Sequence, residues 1–178
     1  TLYVDSTMTD IAVQGGSFGY AGASVYHRYK SKGKWGLAFN GNYLRSDGAY
    51  PFTLVNSGLE SREKRRDGDI DAFTLEANAD AGVGGGMLDT KLYCYVSERG
   101  LPGAVILYNK ENRERLWNRN LFAQARYRCP LGKAWDLQAL LKYDYNYTRY
   151  REISANYASG EQLDVNVQNE AYASLAVG

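Results

Sequence analysis

Few residues have the types and spacing that chemistry requires. Asp67, Asp69 and Asp71 alternate along the chain, a spacing that gathers carboxylate oxygens for a hard cation such as calcium. The calcium-loop pattern then fails, because Ala72 takes the place of the turn glycine and Asn78 that of the closing glutamate. With Arg62, Lys64, Arg65 and Arg66 just before it, the segment reads more simply as a solvated charged loop, and no metal is assigned. His27 is the only histidine, near the end of the second candidate strand, where a place in an aromatic rim is the simpler reading. There is no nucleophile elbow, metalloprotease helix or phosphate-cradling glycine loop. No catalytic residue or cofactor is assigned, and enzyme activity is not expected.

Cys94 and Cys129 suit a disulfide by compartment if the chain is exported. The strand layout opposes it: the two sulfurs differ in height by roughly 20 Å, against a Cα separation limit of about 7 Å. Two free, strand-packed cysteines are expected. The remaining chemistry-bearing groups are aromatics and arginines in three polar stretches. Tyr50 and Phe52 lie in the first, Arg99, Tyr108 and Trp117 in or beside the second, Tyr150 and Tyr157 in the third. Aromatic faces stack and arginines pair with anions, so these groups are candidates for holding a polar, partly apolar ligand. The plainer reading is that they extend a rim or pack loops together.

The elements that would position them are strands. The chain has 178 residues, 19 glycines, 16 tyrosines and three prolines, a composition that favours strands joined by glycine turns. Lys plus Arg number 21 and Asp plus Glu 20, for a net charge of +1, so no bulk charge draws the chain to nucleic acid. No apolar run approaches the ~18 residues of a spanning helix. Barrel strands need only ~9–11 residues of alternating polarity, so a mean hydropathy of -0.49 does not oppose a membrane barrel.

Period-two alternation is strongest from Trp35 to Tyr43 and from Phe73 to Val83, where Phe73, Leu75, Ala77, Ala79, Ala81 and Val83 oppose Thr74, Glu76, Asn78, Asp80 and Gly82. It recurs over 88–97, over 121–128 with Phe122 as a blemish, and over 135–147. Weaker segments at 9–16, 20–30 and 168–178 bring the total to about eight strands. Tight turns at 31–34, 84–86 and 130–134 alternate with polar excursions at 47–70, 98–116 and 148–167, the short-below, long-above connections of an outer-membrane barrel. Trp35 and Tyr43, like Trp135 and Tyr145, sit at the two ends of an apolar face, as girdle aromatics do. Glu76, Asp80, Lys91, Arg126, Lys142 and Asp144 take the opposite face, which would line a watery lumen. The chain is expected to be all-β, one unit over 1–178: an antiparallel transmembrane β-barrel segment.

The strings Gln14-Gly-Gly-Ser-Phe-Gly19, Asn42-Tyr-Leu-Arg-Ser-Asp-Gly-Ala-Tyr-Pro-Phe52, Ser97-Glu-Arg-Gly-Leu-Pro-Gly-Ala-Val105 and Glu114-Arg-Leu-Trp117 resemble TonB-dependent receptors of Bacteroidetes-type bacteria, and among these the cobalamin and siderophore receptors. The resemblance implies a 22-stranded barrel closed by an N-terminal plug, of which about eight strands are present. It further implies residence in the bacterial outer membrane, contact with outer-membrane lipid, capture of a small nutrient by the outer loops, a TonB complex acting on the plug, and a possible surface lipoprotein partner. The chain departs from the family pattern in lacking a plug, a TonB box and a terminal aromatic, so a fragment with two open edge strands is expected. A complete eight-stranded outer-membrane barrel with a structural or adhesion role, and a soluble ligand-binding β-barrel, are the alternatives.

Overall fold

Alternation of polarity is satisfied by a strand that meets different surroundings on its two faces, and this chain folds almost wholly into such strands. The computed structural model describes residues 7–31, 35–103 and 113–178. Among them the regular elements are all strands: β1 (Met8–Gly15), β2 (Ala21–Ser31), β3 (Trp35–Ser46), β4 (Pro51–Asn56), β5 (Leu59–Lys64), β6 (Ile70–Val83), β7 (Gly86–Leu101), β8 (Glu114–Leu131), β9 (Trp135–Ile153) and β10 (Glu161–Val177). Eight of them form one sheet in the order β1-β2-β3-β6-β7-β8-β9-β10, with β4 and β5 apart as a two-stranded hairpin. Every pairing is antiparallel. The order ends on β1 at one side and β10 at the other.

Short turns lie at the lower end of the sheet. Gly84 and Gly85 join β6 to β7 with φ of 55° and 82°, the two positive values that a two-residue turn matched to sheet twist demands. Ser57 and Gly58, with φ of 48° and 80°, turn β4 into β5 in the same way. The upper end carries residues 16–20, the 47–69 excursion with its β4–β5 hairpin, 102–103, 113 and 154–160. Of the lower turns expected from the sequence, residues 32–34 lie outside the described residues. Pro130 belongs to β8, opposite Asp136, rather than to a turn.

The strands are longer than the alternation suggests. β7, β8, β9 and β10 run for 16, 18, 19 and 17 residues, beyond the ~9–11 that cross a bilayer. Residues 98–101, 114–116, 148–153 and 161–167, read from polarity as loop, are therefore strand. The backbone ladder needs no apolar side chains to continue, and where both faces meet water the polarity signal disappears while the hydrogen bonds remain.

Register gathers the side chains into two unlike faces. Trp35, Leu37, Phe39 and Tyr43 share one face with Ala81, Ala79, Ala77 and Phe73 of β6. The same face continues through Leu88, Thr90, Leu92, Cys94 and Val96 of β7, Leu121, Ala123, Ala125 and Tyr127 of β8, and Trp135 to Tyr147 at odd positions of β9, to Val177, Leu175, Ala173 and Ala171 of β10. Aromatics rim this band: Tyr29, Trp35, Tyr127 and Trp135 below, Tyr43, Tyr143, Tyr145 and Tyr147 above. Tyr29 and Trp35 stack with ring centres 4.9 Å apart, and Tyr127 donates to the Val83 carbonyl at 2.9 Å.

The other face is charged and internally paired. Lys91 meets Glu76 at 2.9 Å, Arg126 and Arg128 both meet Asp89 at 3.2 Å, and Lys142 meets Asp144 at 3.1 Å. Phe122, which blemishes the alternation, lies on this face beneath Lys142 Nζ, 5.1 Å from the ring centre.

A single sheet has no second layer to pack on, and the burial reflects that. Apart from glycines, only Ala72 (6% exposed) and Ser97 (3%) are buried among the described residues, whereas Leu92, Leu141 and Leu175 on the apolar face are 57%, 61% and 71% exposed. At about 1.5–3 kcal/mol for each large apolar side chain fully buried, covering this face is worth tens of kcal/mol.

Candidate functional site

The upper end collects the ligand-type groups, because the long connections leave from it and the extended strands carry their polar ends there. The 47–69 excursion is fastened on both flanks. On one side Asp47 N–H donates to the Phe18 carbonyl at 3.0 Å and Ser46 Oγ donates to the same oxygen at 2.9 Å. On the other, the Arg65 guanidinium donates to the carbonyls of Pro102 and Gly103, and Gly100 N–H donates to the Asp69 carbonyl at 2.9 Å. Arg115 binds the Asp69 carboxylate and, at 2.9 Å, that of Glu98.

These ties hold an aromatic group together. Phe18 stands edge-on to Tyr50 with centres 6.1 Å apart, and Tyr50 lies 6.4 Å from Phe52. Tyr50 is exposed, so the group offers a ring surface at the upper rim.

A second group sits on the charged face of β7, β8 and β9. Leu116 is opposite both Arg99 and Tyr150, so these two flank it on one face, about 10 Å apart at ordinary strand spacing. Glu114 and Glu152 are directly opposed one rung above. Tyr150 Oη donates to Glu152 Oε2 at 3.2 Å, and Tyr157 Oη donates to the same oxygen at 2.9 Å. Burial, then the carboxylates of Glu114 and Glu152, holds the Tyr150 hydroxyl far above its usual range. For Tyr157 the hydrogen bond to Glu152 leads, with burial second, and the shift is again upward. Both phenols therefore stay protonated and act as donors at neutral pH. The two carboxylates supply acceptors and the exposed Arg99 a cationic fork, a set suited to a polar organic ligand.

The seven ligand candidates read from the sequence thus divide, Tyr150 and Tyr157 both donating to Glu152. Tyr50 and Phe52 come together, and Arg99 and Tyr150 share the charged face. Trp117 turns to the opposite face, where Arg149 Cζ lies 4.9 Å from its ring centre. Tyr108 lies outside the described residues. Glu114, Glu152 and Phe18 escaped the sequence reading. The signal for the first two was present, since both are in phase with Tyr150 and Leu116 once those segments are treated as strand.

Asp67, Asp69 and Asp71 do not converge. Asp69 is taken by Arg115, and Asp71 accepts the Tyr43 hydroxyl at 2.6 Å. Among the described residues no group of three or more His, Cys, Asp or Glu side chains is arranged to hold a metal ion. His27 meets Thr9 Oγ1 through Nδ1 at 2.8 Å and lies 5.6 Å from the Phe39 ring. Cys94 and Cys129 are both free, and Cys94 is opposite Leu121, well up β8 from Cys129. Lower on the charged face, Arg28, Lys30 and Arg128 line a cleft with Asp80 and Asp89.

No protein-family model matches the chain, and neither does any curated protein.

Proposed function

We propose that this chain is wall and outer rim of an outer-membrane transport barrel of the TonB-dependent kind, which takes up a scarce nutrient such as cobalamin or a ferric siderophore. The observation that carries the reading is the division of one eight-stranded sheet into an exposed apolar face with aromatics at both rims and a face of paired charges. A membrane wall needs this division, since lipid covers the first face and water wets the second. Exposure supports that assignment over its inverse: most of the exposed large apolar side chains of the eight-stranded sheet belong to the apolar face, Met8, Leu44 and Tyr172 excepted, whereas Asp144, Asp89 and Glu76 opposite are only 25%, 33% and 34% exposed. The carboxylates of the charged face are the sheltered members of its pairs, covered by the long cationic side chains that reach over them.

The nutrient role rests on the upper rim, where ring surfaces, paired donors and acceptors, and Arg99 stand beside the lumen. Its test is binding of cobalamin and of a ferric siderophore to the full chain reconstituted in vesicles. Arg99→Ala and Tyr150→Phe are expected to weaken whichever ligand binds. Insertion without binding of either would leave the wall reading and remove the nutrient. A complete small barrel is the second reading, favoured by the count of eight strands in the sheet, the smallest number common among outer-membrane barrels. Cross-linking of cysteines placed in β1 and β10 decides it, since only a complete small barrel joins those two strands.

A further inference from the structure

The apolar face does not end at its upper tyrosines. Arg119 is opposite Tyr147 and Val96, and Arg149 is opposite Trp117 and Val165. Both arginines therefore stand on the apolar face, at or just above the tyrosine rim. Each rests on a ring: Arg119 Cζ lies 5.6 Å from the Tyr147 centre, and Arg149 Cζ 4.9 Å from the Trp117 centre. One rung higher Arg115 and Arg151 are directly opposed, but each has its own counterion. Arg115 binds Asp69 and Glu98, and Arg151 binds Glu161 at 2.7 Å. Among the described residues no carboxylate compensates Arg119 or Arg149, and Arg149 Nε is buried without a hydrogen-bond partner.

We propose that Arg119 and Arg149 clamp a phosphate of an anionic lipid headgroup at the outer rim of the apolar band. The inference rests on the wall reading above and adds a specific ligand to it. Two uncompensated guanidinium groups, each over an aromatic ring, present the planar forks that bind phosphate bidentately. Their neighbours Val96, Val165 and Val167, with Tyr145 below, are apolar, and the carboxylate of Glu98, opposite Trp117, is held by Arg115. A soluble anion would satisfy the charges and leave that surface uncovered, whereas a lipid covers both with one molecule. The long connections mark this end as the outer side, so the lipid belongs to the outer leaflet.

The test uses the full chain and three arms. Flotation with phosphatidylcholine vesicles measures insertion. Binding of lipid A, a doubly phosphorylated glycolipid, is then measured in zwitterionic micelles for wild type, Arg119→Ala/Arg149→Ala and Arg119→Lys/Arg149→Lys. Inorganic phosphate in excess is the competitor. The expected result is unchanged insertion, with a loss of about thirtyfold in lipid affinity for the double alanine variant, each basic group at an anionic membrane surface being worth about fivefold. A smaller loss is expected for the lysine variant, which keeps the charge and loses the fork, and no displacement by free phosphate. Equal lipid affinity of wild type and the alanine variant, with both inserted, overturns the clamp alone. Displacement by free phosphate overturns the lipid as its ligand. Should the alanine variant not fold, the wild type decides: no preference for lipid A over its dephosphorylated form refutes the proposal. Failure of the wild type to insert in any vesicle refutes the wall reading on which the clamp stands.

Discussion

Leu141 sits midway along the apolar stretch of β9 between Trp135 and Tyr147, 61% exposed, while Leu140 beside it belongs to the charged face. If the apolar face meets acyl chains, Leu141→Arg puts a guanidinium at the centre of the band. Measured on barrels, an arginine at the bilayer midplane costs about 2–4 kcal/mol and one near the interface about 0–1 kcal/mol. Val165, opposite Arg149 above the tyrosine rim, supplies the interfacial comparison. Leu140→Arg adds a cation on the charged face directly opposite Arg126, whose guanidinium is already held by Asp89, and such an exposed like-charge pair is expected to change stability by less than about 1 kcal/mol. The assay is reversible urea unfolding from vesicles, read by tryptophan emission. The three variants should rank with Leu141→Arg at least about 1 kcal/mol below the other two. Equal losses at Leu141 and Val165, or a larger loss at Leu140, would refute the reasoning, because depth in the band would then not govern the cost.

Further outcomes follow from particular residues. Cys94 lies within the apolar band, half-buried, and Cys129 near its lower edge. In vesicles a water-soluble maleimide should label Cys129 and spare Cys94 until denaturant is added, and equal labelling would contradict the band. A methyl group on Gly100 would meet the Asp67 carbonyl and the Asp69 carboxylate. Gly100→Ala should therefore loosen the 47–69 excursion at a cost of about 1–3 kcal/mol, visible as faster proteolysis there with the sheet intact. Tyr150 titrates above the usual 10.0 in the folded chain. Its protonated form thus favours folding below about pH 10, and that contribution is lost as the pH rises from 10 toward the raised value. Tyr150→Phe should remove the latest-ionising tyrosine from an ultraviolet titration and flatten the alkaline loss of stability.

Much of the sheet was legible because apolar and polar side chains alternate every residue along its strands. Phe73 to Val83 is the clearest case, and its register with Trp35 to Tyr43 follows the expected face. The upper strand ends were not legible. Arg115-x-Trp117-x-Arg119 and Tyr147-x-Arg149-x-Arg151 alternate, yet with charged groups on the face that is apolar below, so the polarity test read Arg115, Arg149 and Arg151 as loop. The β4–β5 hairpin was missed for a related reason: Ser57-Gly58 is a good turn pair, but Leu59 to Lys64 alternates without an apolar face. Of the candidate ligand groups, residue type singled out Tyr50, Phe52, Arg99 and Tyr150. Only the register separates Trp117 from them, and only cross-strand pairing brings Glu114 to Glu152.

The central claim is that adjacent residues of one strand face lipid and water. Spin labels on cysteines at 140 and 141, with Cys94 and Cys129 replaced, test it in reconstituted vesicles through collision with oxygen and with a water-soluble nickel chelate. The account predicts that the label at 141 collides with oxygen and is shielded from nickel, and that the label at 140 shows the reverse. A label at 141 shielded from both reagents, with 140 open to nickel, would mean a dry protein core in place of lipid and would contradict the membrane wall.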